Sequence, residues 1–457
     1  MHKLLWVWLV FTVPLGLGQE VRLELGFRGE MVAEKWNPLR LIRRDMGPAT
    51  LTLEFDQGTL REGNIPVFYE VKLKSAQGLD VFEDDIYIPH WRSFVWRLAD
   101  ESKVYASGSF NRQMVNTQPI DLIVSKTPEF YLNAFGENSR IVQVDDLLPK
   151  RLASYDGVHS LVLDGSIPMP TLEALSSAAS AGVQVIYVED TNSTYDYDLF
   201  SLLAPDTQQR LGAGWLIRSS RDGIKASLAL LPVLDTTQLQ ETYLVKQSMI
   251  QNLPSTVLLT MLGAYVLLIL LSIRFFGAAG LVTAFLLTAL ASAGAWIYLR
   301  PPAQQIASQS LYINSGKLAK VERIYQITQL PQANLQLPVQ AHPTTPRSYI
   351  QREGLEIKLS RWSQETLKLR PSLSSATLLL EGNLLRNESE VNLQHIYVNG
   401  LGQQPDLSPG ESLELSPGEE STLYQNLLPL LPIGTVLAQH NSDLHLAIPN
   451  PELLVQP

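Results

Sequence analysis

The stretch SLVLDGSIPMPTLEALSSAASAGVQVIYVED, residues 160–190, decides how the middle of this chain is read. SLVLDG and VQVIYVED are uninterrupted apolar runs, the pattern of strands buried on both faces of a parallel sheet, and TLEALSSAASAG between them has the length of a crossover helix. Pro168 and Pro170 precede the helix, Thr171 can cap it, Glu173 suits the positive end of its dipole and Gly182 can end it. IDLIVS and RIVQV, upstream, are further runs of the same kind. The expectation is an α/β domain of flavodoxin-like type over residues 116–240.

In an open α/β sheet, ligands bind at the carboxyl ends of the strands, where the strand order reverses. Asp145 and Asp146 follow RIVQV, Asp164 follows SLVL, and Glu189 and Asp190 follow VQVIYV. These five carboxylates are the candidate ligand-binding residues. Such a set could hold a hard cation or supply a proton-transfer acid. The alternative is that they are water-exposed acids at strand ends and helix caps, and neither a DxDxDG-type spacing nor a His pair accompanies them. No metal or cofactor is assigned.

Outward from this stretch the pattern changes. From Val21, VRLELGF, PLRLI, ATLTLEF, PVFYEVKLKS, DIYIPHW, SFVWRL and KVYASGSF alternate apolar with polar residues between turns, as in a β-sandwich, placed at 19–115. Trp36, Trp91 and Trp96 in these strands could form a carbohydrate-stacking platform or serve as packing. Residues 301–457 alternate again, around a Pro-rich stretch from Pro331 to Pro346, and are read as a C-terminal all-β domain. Asn192-Ser-Thr and Asn387-Glu-Ser are glycosylation sequons.

Two hydrophobic features place the chain in the envelope. Residues 1–18 have a basic start at Lys3, an apolar run and a small-residue exit, the plan of a signal peptide. Ser255 to Ile273 and Ala278 to Leu299 are each long and uncharged enough for a bilayer span, so 253–300 is expected to be a two-helix transmembrane hairpin with Arg274 in its turn. Gly277, Gly280, Ala284, Thr288, Ala291 and Ala295 would give it a small-residue packing face. Both large flanking parts would then be extracytoplasmic.

Composition narrows the function. The 457 residues carry a net charge of -10, with no basic surplus for nucleic acid. There is no cysteine, which removes disulfides, thiolate catalysis and Cys-ligated metals. No P-loop, GxSxG elbow or HExxH occurs. Gly212 and Gly214 in LGAGW precede a strand, the wrong place for a dinucleotide fingerprint. The seven histidines are scattered, with His440 and His445 read as surface residues, and STYDYDLF around Tyr195 and Tyr197 reads as a polar loop.

Three segments carry a family resemblance: LGFRGEMVAEKWNPLRLI, VDDLLPKRLASYDGVHSLVLDGS and LLEGNLLRNESEVNLQHIYVNGLGQQPDLSPGESLEL. With the order of parts, they resemble a group of uncharacterised bacterial membrane proteins. Those combine a signal peptide, a β-sandwich, a domain similar to class I glutamine amidotransferases, a transmembrane pair and an extracytoplasmic β domain. Amidotransferases use a nucleophilic Cys with His and Glu; here VQVIYV runs into Glu189, Asp190 and Thr191 without a Cys. The resemblance therefore implies a scaffold without amidotransfer. The expected function is a non-catalytic, membrane-anchored envelope protein that binds a partner protein or a small ligand, as an accessory subunit of a membrane complex. The alternative is a metal-dependent hydrolase or ligand-binding enzyme using the strand-end carboxylates. A carbohydrate or peptidoglycan binder is the third reading.

Overall fold

The structure is a computed structural model. It describes residues 21–56, 67–88, 93–111, 115–135, 139–144, 147–189, 206–220, 305–328, 334–337, 341–343, 349–352, 354–358 and 364–449, with single positions and pairs between 200 and 277. The alternating N-terminal runs form β1 (Val21–Leu25), β2 (Met31–Val32), β3 (Lys35–Met46), β4 (Ala49–Asp56), β5 (Val67–Leu73), β6 (Ala76–Ile88), β7 (Ser93–Ala99), β8 (Val104–Asn111) and β9 (Val115–Asn116). One antiparallel sheet has the order β1-β3-β6, and a second contains β5-β4-β7-β8. Period-two alternation gives each sheet one apolar face, and these faces meet: Leu25, Leu39, Leu41 and Ile86 pack with Leu51, Leu53, Tyr69 and Leu98. Gly26, at φ +65°, makes the first corner; a Cβ there would lie 2.0 Å from the Glu30 carbonyl oxygen, so no other residue fits.

The continuous apolar runs form a different sheet. Its elements are β10 (Ile120–Val124), β11 (Arg140–Gln143), β12 (Val158–Leu163), α1 (Leu172–Ala181), β13 (Gln184–Glu189), β14 (Thr207–Leu211) and β15 (Gly214–Ser220). The order is β11-β10-β12-β13-β15-β14, parallel except for β14. Leu161, Val162, Leu163, Val185, Ile186 and Val188 are all buried, because both faces are covered. The Thr171 side chain accepts from the Ala174 amide at 3.3 Å. Gly182, at φ 119°, closes α1, and the Gly182 and Val183 amides donate to Ala179 and Ala178, both at 3.1 Å.

The flavodoxin-like, amidotransferase-like α/β domain expected over 116–240 is overturned. Among the described residues α1 is the one complete α-helix on this sheet, and strands dominate the molecule. The other described crossovers are 3-10 turns at Pro128–Phe130, Leu132–Ala134 and Leu152–Tyr155. Pro128 and Pro149 fall in these short connections, and each lacks the amide that helix continuation needs.

The C-terminal part is built from β16 (Gln305–Ser315), β17 (Leu318–Thr328), β18 (Asn334–Leu337), β19 (Ala341–Pro343), β20 (Tyr349–Arg352), β21 (Gly354–Lys358), β22 (Gln364–Leu369), β23 (Ser372–Ser375), β24 (Leu378–Glu381), β25 (Leu384–Asn387), β26 (Gln394–Val398), β27 (Gly402–Gln403), β28 (Ser412–Glu414), β29 (Val436–His440) and β30 (Asp443–Ala447). Nine of these strands make a large sheet running β19-β22-β17-β16-β30-β29-β26-β27, with β23 beside β17. The small sheet β24-β25-β28 packs over it through Leu378, Leu385, Ile396, Val398 and Val436. β18, β21 and β20 leave this part and extend the N-terminal sheet, β20 running parallel to β5 with Ile350 opposite Phe68 and Gln351 opposite Tyr69. Sequon residue Asn387 is fully buried and donates to the Val391 and Leu407 carbonyls, so the folded chain hides it; Asn192 lies outside the described residues.

The two-helix transmembrane hairpin expected at 253–300 is likewise corrected. Among the described residues no helix is long and apolar enough to cross a membrane, and most of that span lies outside them. Hydropathy measures the length of an apolar run, not the structure it takes. With neither the hairpin nor the amidotransferase-like domain, the resemblance to the membrane-protein group is withdrawn. Residues 1–18 lie outside the described residues.

The three lobes share cores and ion pairs. Phe27 of the N-terminal lobe meets Tyr155 of the parallel-sheet lobe at 5.9 Å between ring centres. Ala213, in the β14–β15 turn, joins the C-terminal core with Leu311, Leu437 and Leu446. Lys320 is buried and donates to the Ala181 carbonyl at 2.8 Å, placing a cation at the negative end of α1.

Candidate functional site

The strand order reverses between β10 and β12, and Asp164 stands at this point, one residue beyond β12. It is buried. Ser125, one residue beyond β10, donates its hydroxyl to Asp164 Oδ2, and the Tyr131 hydroxyl donates to the same oxygen at 3.0 Å. Oδ1 accepts from the Ser166 amide at 2.9 Å and the Ser166 hydroxyl at 2.5 Å. In turn the Lys126 amide donates to Ser166 Oγ, and the Thr127 amide to Ser125 Oγ, each at 2.9 Å. The crevice where a ligand would enter is thus laced by the loops after β10 and β12. A carboxylate accepting four bonds from Ser125, Tyr131 and Ser166 ties the two loops together.

Glu189, the last residue of β13, forms an ion pair with Arg218 of β15. Arg218 also donates to the Leu203 carbonyl at 2.6 Å, fastening the chain that crosses from β13. Glu189 pairs with Arg218, whereas Asp164 accepts from Ser125, Tyr131 and Ser166. Asp145, Asp146 and Asp190 lie outside the described residues. Among the described residues no group of three or more potential ligand side chains is arranged to hold a metal ion.

Other expectations resolve locally. Trp36 is buried edge-on against Tyr87, with the Arg370 guanidinium 5.2 Å from its ring centre. Trp96 packs on the sandwich core over Gly108, and Trp91 lies outside the described residues. Gly212 and Gly214 flank the β14–β15 turn. A Cβ on Gly214 would lie 2.3 Å from the Val183 carbonyl oxygen and 2.4 Å from that of Ala179, so this glycine seats the turn against the end of α1 and leaves no phosphate cradle. Tyr195 and Tyr197 lie outside the described residues.

The histidines differ from their sequence reading. His445 is buried, stacked on Tyr312 at 4.5 Å and bonded to Thr377 Oγ1 at 2.8 Å. Burial, with His440 nearby, brings its pKa down to about 4, so it is neutral at pH 7. His159, a third exposed, has Nδ1 3.0 Å from the buried Asp121 carboxylate, which also accepts from Ser160 at 2.7 Å. A carboxylate-oriented imidazole is the pairing a general base uses, but Ser160 donates to the carboxylate and not to the ring.

A charged cluster lies elsewhere, where the three lobes meet. Asp84 and Asp85 sit on β6, Arg151 and Ser154 come from the parallel-sheet lobe, and Arg370 from the C-terminal lobe. Asp84 is 2.5 Å from Arg151 and 2.9 Å from Arg370, and accepts the Tyr69 hydroxyl. Burial alone would raise its pKa, but Arg370, the Tyr69 bond and Arg151 hold the carboxyl below its ordinary value. Burial, reinforced by Asp84, pushes the Tyr69 hydroxyl well up. Beside them Asp156, flanked by Lys35 at 3.9 Å, accepts from the Trp36 amide at 3.2 Å; Lys35 and Lys320 overcome its burial and hold it ionised.

No protein-family model matches the sequence, and no curated protein matches it. Among solved structures, one match is a β-glucuronidase from glycoside hydrolase family 2, at 12% identity and a TM-score of 0.14. It covers 39% of this chain, and this chain spans 21% of that one. Superposition that slight relates neither the two folds nor their activities.

Proposed function

We propose that this chain is a non-catalytic binding or scaffolding protein of the bacterial cell envelope, exported by the leader at residues 1–18 and working on the extracytoplasmic side of the cell membrane. Its partner is an envelope protein, to which it serves as an accessory subunit; its acidic balance makes nucleic acid an unfavourable ligand. The observation that carries the reading is the state of Asp164. At the position where an α/β enzyme places its chemistry, the one described carboxylate is saturated by Ser125, Tyr131 and Ser166. Glu189 is likewise engaged by Arg218. For these two acids a metal-dependent hydrolase would have to break the bonds that hold the sheet's loops. Shared cores among the lobes suit a body that presents surface.

Crosslinking in intact cells, followed by isolation of the full chain, tests the proposal. A stoichiometric envelope protein is expected with the wild type. Recovery of the chain only as an uncrosslinked monomer contradicts it.

A further inference from the structure

Asp85 is fully buried at the meeting point of the three lobes. The Ser154 hydroxyl donates to Oδ1, while Oδ2 has no hydrogen-bond partner among the described residues. The nearest guanidinium nitrogens, of Arg151 and Arg370, stand 3.8 and 3.9 Å away, and Arg370 donates instead to the Asp85 backbone carbonyl at 3.0 Å. Facing it are Asp84 on its own strand, Tyr69 on β5 bonded to Asp84, Arg151 and Tyr155 on the turn, Arg370 beyond β22, and next in line Asp156 with Lys35 and Lys320. Both arginines are held by Asp84, so Asp85 is the underserved member of the pair. A buried carboxylate with one hydrogen bond favours its neutral form, which can also donate.

We propose that the closed junction holds a proton on Asp85, so that docking of the three lobes takes up one proton and their separation releases it. Burial pushes the Asp85 carboxyl above its ordinary value, against the opposing pull of Ser154, Arg370 and Arg151. A group raised in the closed state contributes most below its open-state pKa, about 3.9, and that contribution is lost as pH rises through the closed-state value. Asp84, held low, acts in the opposite direction, on the acid side of its ordinary value. The two neighbours therefore give the junction a stability maximum in mildly acidic solution.

Hydrogen exchange of the full chain, followed in peptides covering residues 84–88 and 151–156 and corrected for intrinsic rates, tests this. In the wild type, protection should fall as pH rises above about 4, by up to tenfold per unit, the limit for one proton, and then level off. Asp85→Asn should abolish that dependence. Should Asp85→Asn fail to fold, Ser154→Ala removes the described hydrogen bond to the carboxylate and should move the levelling-off to higher pH. A wild-type profile in Asp85→Asn, or an unmoved one in Ser154→Ala, overturns the proposal.

Discussion

At the scale of single residues, what matters is whether a polar group has partners. Asp164 has four donors, and its replacement by Asn would turn an amide NH2 toward hydroxyls and an amide already oriented to donate. Urea unfolding should show Asp164→Asn destabilised by about 1–3 kcal/mol, the range for disturbing a buried, charge-assisted set. An unchanged midpoint would mean that the loops do not depend on it. His445 yields a pH prediction. Its folded pKa lies near 4, below the ordinary value of 6.5, so its neutral form is the one the fold accommodates. The sign follows: its contribution is present above pH 6.5 and is lost as pH falls toward 4. His445→Gln should shed less stability over that window than the wild type, the difference reaching about 3 kcal/mol. The position of Asp164 at a strand end was legible in the sequence. Its partners were not: Ser125 and Tyr131 lie 39 and 33 residues away, and only the strand order brings them to it.

Elements were legible where one local signal decided them. The stretch 160–190 carries its own cap, its own stop and two runs buried on both faces, and it forms β12, α1 and β13. Thr171→Ala should lower the melting free energy by about 1 kcal/mol through loss of the cap, measurable by calorimetry. The reading failed where helices were inferred from the strands they would connect. Continuous apolar runs report burial on both faces, not what covers them, and here 3-10 turns at Pro128–Phe130 and Leu152–Tyr155 do part of that work. The same failing led from two apolar runs to a membrane hairpin. His445 was misread because LHLAIP alternates as a strand but gives no sign of which face meets another sheet. The acid pair in VFEDDIYI did hold part of a signal: alternation puts the two acids on opposite faces of β6, Asp84 with Ile86 on the sandwich-core side and Asp85 with Tyr87 on the side that the parallel-sheet lobe covers.

For the whole molecule, the junction is a long-range object. Arg370 bonds to Asp85 across 285 residues, and β20 joins β5 from the far half of the chain. Neither contact can be read from local pattern. Replacing Arg370 by Met would leave Asp84 with one guanidinium and remove the cover over Trp36. A loss of about 3–5 kcal/mol in global stability is expected, the range for breaking a buried pair from one side. Loss confined to the C-terminal lobe would show that the lobes do not unfold together. At this scale the strand-end acids Asp164 and Glu189 hold the body together, and the body is proposed to bind a partner. The most direct measurement is quantitative crosslinked capture in intact cells by the full chain carrying Asp164→Asn and Glu189→Gln, compared with wild type. The account predicts the same envelope protein at the same stoichiometry from both chains. Recovery of both chains alone, or capture that disappears when the two acids are neutralised in a chain that still folds, would contradict it.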